Sequence, residues 1–221
     1  MRGMDRATLR SRLYLITPAE LAGTDDLAGY VEALLNGGAG MIQYRAKGHT
    51  TRRMIEDCRA ILRHTRRMHV PLIVNDRVDV ALAAGAEGVH VGPSDMPVAY
   101  ARRLMGPHAI VGATAPTAKL AREAQEAGSS YVSVGPMYST PSAPEKSPVG
   151  PEGIKPVRGV VGVPICAIGG INEQTLPAVA CAHPDMVAMI GAVSGSTDPA
   201  MVVRRLVASV EQLIGNGELK V

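Results

Sequence analysis

The chain has 221 residues, 46% hydrophobic and 19% charged, with a formal net charge of +3. That length and balance fit one large domain or two small ones and exclude a disordered or fibrous chain. So small a charge makes no case for nucleic acid. With no Trp, no Phe and six Tyr, the chain also lacks the aromatic platforms on which single strands stack.

Leu, Ile, Val, Ala and eleven Met must fill the core. The three cysteines, Cys58, Cys166 and Cys181, cannot all pair and form no C-x-x-C motif. A reduced, cytoplasmic setting is the expectation. Met1 to Arg10 carry Arg2, Asp5, Arg6 and Arg10 without an apolar centre, which is not the pattern of a signal peptide. No uncharged apolar run reaches the roughly 18 residues of a membrane span, so no membrane partner is expected.

Short apolar runs alternate with longer amphipathic ones along the chain. Strands are predicted at Arg12–Thr17, Gly40–Arg45, Pro71–Asn75, Gly88–Val91, Ala109–Ala113, Tyr131–Gly135, Pro164–Ile168 and Met186–Ile190. Runs such as Leu72-Ile73-Val74 are continuously apolar, as in strands covered on both faces. Helices are predicted at Asp25–Leu35, Thr51–Met68, Val78–Ala84, Val98–Leu104, Thr117–Ala127, Gly153–Val160, Glu173–Cys181 and Pro199–Ile214. Gly38, Gly85, Gly128 and Gly215 follow four of these, where a left-handed cap is favoured. The basic stretch Arg63-His64-Thr65-Arg66-Arg67 reads as a solvated helix face.

Eight strand–helix units with no second strand-rich block predict a single-domain α/β fold, the (β/α)8 TIM barrel, over 11–215. Residues 1–10 form an N-terminal extension and 216–221 a tail. A doubly wound sheet is the alternative, but the G-x-G-x-x-G turn it would carry is missing. The longest loop, Pro136 to Pro151, is rich in Pro, Ser and Thr and long enough to be functional.

Polar residues collect after the strands, whereas the strand starts are bland. In a barrel the post-strand residues share one face, which holds the active site. Gln43, Arg45 and Lys47 alternate, so they point the same way and suit an anion; an exposed basic strand end is the other reading. Asp76 and Asp95 follow adjacent strands and suit a hard cation such as Mg²⁺, although each also suits a cap or turn. Scattered histidines argue against zinc. Gly169-Gly170 before Asn172, and Gly191 before Ala192, are expected to present backbone N–H groups at helix starts, making a second anion site. Two anion sites on one face suit two phosphorylated substrates.

The runs Gln43-Tyr44-Arg45-Ala46-Lys47-Gly48, Val74-Asn75-Asp76-Arg77-Val78-Asp79, His90-Val91-Gly92 with Asp95, Gly135-Pro136-Met137-Tyr138 with Thr140, and Ala167-Ile168-Gly169-Gly170-Ile171 together resemble the thiamine-phosphate synthase family. The resemblance extends in order from about Leu13 to Ser194. It implies condensation of a hydroxymethylpyrimidine diphosphate with a thiazole phosphate, giving thiamine phosphate and diphosphate. It further implies that Gln43, Arg45, Lys47 and Asn75 hold the pyrimidine diphosphate, and that Asp76 and Asp95 bind Mg²⁺. By the same resemblance Thr114 lies near the reacting groups, Thr140 and Ser142 contact phosphate, and backbone at Gly170, Ile190 and Gly191 holds the thiazole phosphate.

One position departs from the family pattern. Ala143 stands where a loop Lys is usual, and Lys146 is expected to reach back and supply the charge. A thiazole tautomerase-like paralogue and a non-catalytic phosphate-binding barrel are the alternatives. Retention of Arg45, Lys47, Asn75, Asp76 and Asp95 disfavours the tautomerase, as does Pro116 at a position where His is common. The sequence leaves a homo-oligomer open.

Overall fold

The computed structural model describes residues 11–215, so the extension at 1–10 and the tail at 216–221 lie outside the described residues. Strands and helices alternate: β1 (Leu13–Ile16), α1 (Asp26–Gly37), β2 (Met41–Tyr44), α2 (Thr51–Arg67), β3 (Leu72–Asn75), α3 (Val78–Ala84), β4 (Gly88–Val91) and α4 (Val98–Met105). The second half runs β5 (Ile110–Thr114), α5 (Ala118–Glu126), β6 (Tyr131–Val134), α6 (Ile154–Arg158), β7 (Ile165–Ile168), α7 (Leu176–Ala180), β8 (Met186–Met189) and α8 (Pro199–Ile214). Each strand pairs in parallel with the next, and β8 pairs with β1, closing the barrel. This is the (β/α)8 barrel; closure removes the doubly wound alternative, whose sheet has two edges.

Strand alternation divides the apolar residues into two sets. Leu13 and Leu15, Ile42 and Tyr44, Leu72 and Val74, Val132 and Val134 belong to the large cluster under the helices. Their neighbours Tyr14, Ile16, Met41, Ile73, Tyr131, Cys166, Met186 and Ala188 fill the barrel interior. Helix α2 shows the complementary period. Met54, Cys58, Ile61, Leu62 and Thr65 are buried on one face, and each fully buried Ile or Leu contributes roughly 1.5–3 kcal/mol. On its outer face Arg66 pairs with Glu87 at 3.2 Å and Arg67 with Glu32 at 2.7 Å, which accounts for the basic stretch.

Pro71 and Pro164 fall just before the first residues of β3 and β7. Their carbonyls still accept from the Ile42 and Val132 amides, so each proline serves the ladder as an acceptor only. Gly38, Gly85 and Gly128 adopt positive φ, whereas Gly215 is right-handed at φ −63° and continues its helix. No helix among the described residues is long and apolar enough to cross a membrane.

Candidate active site

The in/out alternation that fills the barrel also builds its mouth. On each strand the inward parity extends past the last paired residue, so Gln43, Arg45 and Lys47 all line one cavity of 630 Å³ at the C-terminal ends of the strands. Ile16, His90, Thr114, Ser133, Ile168 and Ile190 line it by the same rule. Gln43 is buried, Arg45 half-buried and Lys47 exposed, so polarity rises from floor to rim. The Arg45 amide donates to Thr17 Oγ1 at 3.0 Å, holding the chain as it leaves β2.

Parity alone allows one of Asn75 and Asp76 to face inward, yet both line the cavity. The reason is a γ-turn: the Arg77 amide donates to the Asn75 carbonyl at 2.7 Å, and Asp76 between them has φ +62°. Such a turn is strained for a residue with a side chain. It is secured by the Asp76 amide, which donates to the His90 carbonyl at 2.8 Å. Asp76 is therefore no N-cap; Arg77 holds that position on α3 and makes no side-chain cap. Asp95 does serve its turn, accepting from the Gly92 amide at 2.7 Å through Oδ2.

The Asp76 carboxyl lies beside that of Asp95. Burial and the neighbouring Asp95 carboxyl push the Asp76 carboxyl up to about 6, against the pull of Lys47 and Arg45. Two carboxyl groups this close cannot both ionise cheaply unless a cation lies between them. Among the described residues no group of three or more His, Cys, Asp or Glu side chains is arranged to hold a metal. The donor set is thus two carboxylates beside an anion-attracting wall. It fits a Mg²⁺ ion, which takes one or two carboxylates and completes its shell with water and ligand phosphate, and it does not fit zinc.

The opposite wall is built from loops. Asn172 Oδ1 accepts from the Gln174 and Thr175 amides, and Thr175 Oγ1 accepts from the Asn172 amide. This turn delays α7 to Leu176, three residues later than the sequence suggests. After β8 the chain makes turns from Gly191 to Gly195, and the next helix begins only at Pro199. The two expected helix starts are therefore absent, because local side-chain hydrogen bonds and turns satisfy the backbone instead. What the rim offers is backbone: among the described residues the Gly170 and Gly191 amides donate to no protein acceptor. Gly170 has φ +67°, and a Cβ there would lie 2.7 Å from the Cβ of Tyr138. Only glycine fits so close a crossing.

Residues Thr140, Ser142, Ala143 and Lys146 line the cavity from the strand-six loop. The ends of that loop meet where the Val149 amide donates to the Pro136 carbonyl at 2.8 Å, an Ω-type closure. Its first residues pair along β7, with Met137 and Tyr138 donating to Ile168 and Gly169. The Lys146 amide donates to the Ala143 carbonyl at 3.2 Å, closing a turn between the two residues. The two expected anion pockets are the two ends of a single cavity.

Sequence reasoning missed the floor. Tyr14, Tyr131 and Cys166 face inward by parity, a signal that was available, but nothing in the spacing joins them. In the barrel Gln43 Nε2 donates to the Tyr14 hydroxyl at 2.6 Å, and the two tyrosine hydroxyls lie 3.1 Å apart. His90 continues the network, with Nδ1 at 3.0 Å from the Tyr131 hydroxyl and Nε2 at 3.0 Å from Thr114 Oγ1. Burial lowers the His90 imidazole to about 4, so it is neutral at physiological pH.

A family model described as thiamine monophosphate synthase matches residues 13–193. The thiamine-phosphate synthases of Chloroflexus aurantiacus and a Roseiflexus species are each 44% identical to this chain. The first match covers 90% of this chain and 92% of that protein; the second covers 90% and 84%. Among solved structures, thiamine phosphate pyrophosphorylase from Pyrococcus furiosus superposes with a TM-score of 0.85 at 34% identity. That match covers 95% of this chain and 100% of the other.

Proposed function

The chain belongs to the thiamine-phosphate synthase family, and from that premise we propose how its own residues form thiamine phosphate. The substrates are 4-amino-5-hydroxymethyl-2-methylpyrimidine diphosphate and a thiazole phosphate. The observation that carries the reading is one cavity with a cationic, dicarboxylate wall at one end and backbone donors at the other.

Arg45 and Lys47, with Asn75, hold the diphosphate. Arg supplies a planar fork and Lys a compact charge, and both interactions strengthen as charge grows on the departing oxygen. Gln43 marks the boundary between this wall and the buried floor. Thr140, Ser142 and the backbone of Gly170, Ile190 and Gly191 take the thiazole phosphate. Asp76 and Asp95 hold Mg²⁺, which when bound neutralises diphosphate charge that the side chains cannot balance alone.

The bond from the pyrimidine methylene to the diphosphate oxygen breaks, and its electron pair leaves with diphosphate. The electron-rich aminopyrimidine carries the resulting positive charge, and the lone pair of the thiazole nitrogen forms the new carbon–nitrogen bond. No protein nucleophile enters. The chain's task is to hold the two substrates in register and to exclude water from the reactive methylene. Lys146, on the loop over the cavity, supplies the phosphate contact left open at Ala143.

The test is diphosphate release from purified protein given both substrates, with Mg²⁺ and with a chelator. Release that needs both substrates and the metal supports the reading. Rearrangement of the thiazole alone, or binding without turnover, would replace it by the tautomerase or the non-catalytic barrel.

A further inference from the structure

The polar floor of the cavity forms a chain of five groups, Gln43, Tyr14, Tyr131, His90 and Thr114, joined by four hydrogen bonds of 2.6, 3.1, 3.0 and 3.0 Å. Four of the five residues are buried, with Tyr131 at 0% exposure. Water does not compensate a donor wasted there, so the fully satisfied arrangement wins.

The Gln43 amide, with Nε2 turned to Tyr14, sets the sense of the first bond, and satisfaction carries it along the rest. Gln43 Nε2 can only donate, so the Tyr14 oxygen accepts and its proton goes to its other partner, Tyr131. Tyr131 then donates to His90 Nδ1. A neutral imidazole carries one proton, so His90 holds it on Nε2 and donates to Thr114 Oγ1. Ser133 Oγ, at 3.4 Å, is the more distant acceptor. Thr114 Oγ1 accepts from His90 and has no other side-chain hydrogen-bond partner among the described residues. Its own proton is left for the cavity that it lines.

We infer that Tyr131, acting through His90, is a positioning residue that presents Thr114 to the ligand as a hydrogen-bond donor. Thr114 lines the same cavity as Arg45 and Lys47, where an anionic ligand is favoured, so the group it serves is an anionic oxygen. This rests on the proposed reading for the identity of that oxygen, the one leaving the pyrimidine methylene, but the direction of the chain does not. Geometry also argues that the arrangement is built for. His90 and Tyr131 stack with ring centroids 5.6 Å apart, and Tyr14 meets Tyr131 edge-on at 6.1 Å. Both rings are thereby held for bonding without help from a ligand.

Long-range proton–nitrogen spectra of ¹⁵N-histidine-labelled protein at neutral pH test the direction without substrate, with His90→Asn used to identify the signal. The expectation is a single tautomer protonated at Nε2 in the parent, and a mixture with the Nδ1-protonated form in Tyr131→Phe. An Nδ1-protonated parent, or an unchanged tautomer in the variant, overturns the proposal. The second arm is a double-mutant cycle on turnover. Tyr131→Phe is expected to lower kcat by about two- to tenfold with little change in KM, the effect of one hydrogen bond. In a Thr114→Val background the same change should cost nothing further. Equal losses in both backgrounds mean that Tyr131 acts on the ligand directly and sink the positioning role. Should the protein release no diphosphate at all, the assigned activity fails while the spectra still decide the direction of the chain.

Discussion

A Cβ placed on Gly112 would stand 2.2 Å from Cζ of Tyr131, closer than any real contact of that kind. The same atom would lie 2.4 Å from the Tyr131 hydroxyl and 2.5 Å from His90 Nδ1. Gly112 pairs with both His90 and Tyr131 in the barrel register, so it is the gap through which the two rings reach each other. Gly112→Ala is expected to destabilise the protein by about 1–3 kcal/mol through overpacking. Denaturant midpoints give that value, and a loss below about 0.5 kcal/mol would mean that the floor repacks freely.

His90 makes stability depend on pH. Its imidazole is held at about 4, against an ordinary value of 6.5, because burial disfavours the charged form. Between those values the unfolded chain binds the proton and the folded chain does not, so stability rises with pH there. The contribution is fully present above 6.5 and is lost as pH falls towards 4. Its size is roughly 3 kcal/mol. The Asp76 carboxyl, raised to about 6, takes up a proton on folding over much of the same window and opposes this slope, so it is the difference in urea-unfolding stability between the parent and His90→Asn that should rise with pH.

Asp76 sets stability against function. It sits at φ +62° and faces the Asp95 carboxyl. Asp76→Gly relieves both strains and is expected to raise stability by about 1 kcal/mol at neutral pH. The same change removes half of the carboxylate pair, so metal-dependent diphosphate release should be lost. Thermal unfolding and the release assay, run on one preparation, check the two together. A variant that is less stable would show that the turn is not strained.

Lys47 and Lys146 separate by burden. Lys47 acts beside the carboxylate pair, so Lys47→Met is expected to lower kcat/KM by about a hundredfold. Lys146 is exposed on the loop. Lys146→Ala is expected to weaken affinity for the phosphorylated substrates by about fivefold while leaving stability within about 0.5 kcal/mol. Unchanged turnover and affinity would show that Ala143 is left without a substitute.

Much of this site follows from periodicities that can be read along the chain. Strand parity carries Gln43, Arg45 and Lys47 to one face, and parallel strands carry their ends to one rim, so the cationic wall and the two aspartates were legible as candidates. The helix starts expected directly after Gly170 and Gly191 were not, although the helices themselves were, because the Asn172 turn and the turns at Gly191–Gly195 satisfy the backbone in ways that composition does not distinguish from a helix start.

Two features waited on closure of the barrel. The Asp76 turn depends on an acceptor from the neighbouring strand, the His90 carbonyl. The floor joins Tyr14 to Tyr131 across 117 residues and Tyr131 to His90 across 41. Local spacing determines which way a side chain faces, since 2.0 and 3.6 residues per repeat are properties of the backbone alone. Which inward side chains then touch depends on the stagger with which eight strands close, a property of the whole ring that no single segment contains.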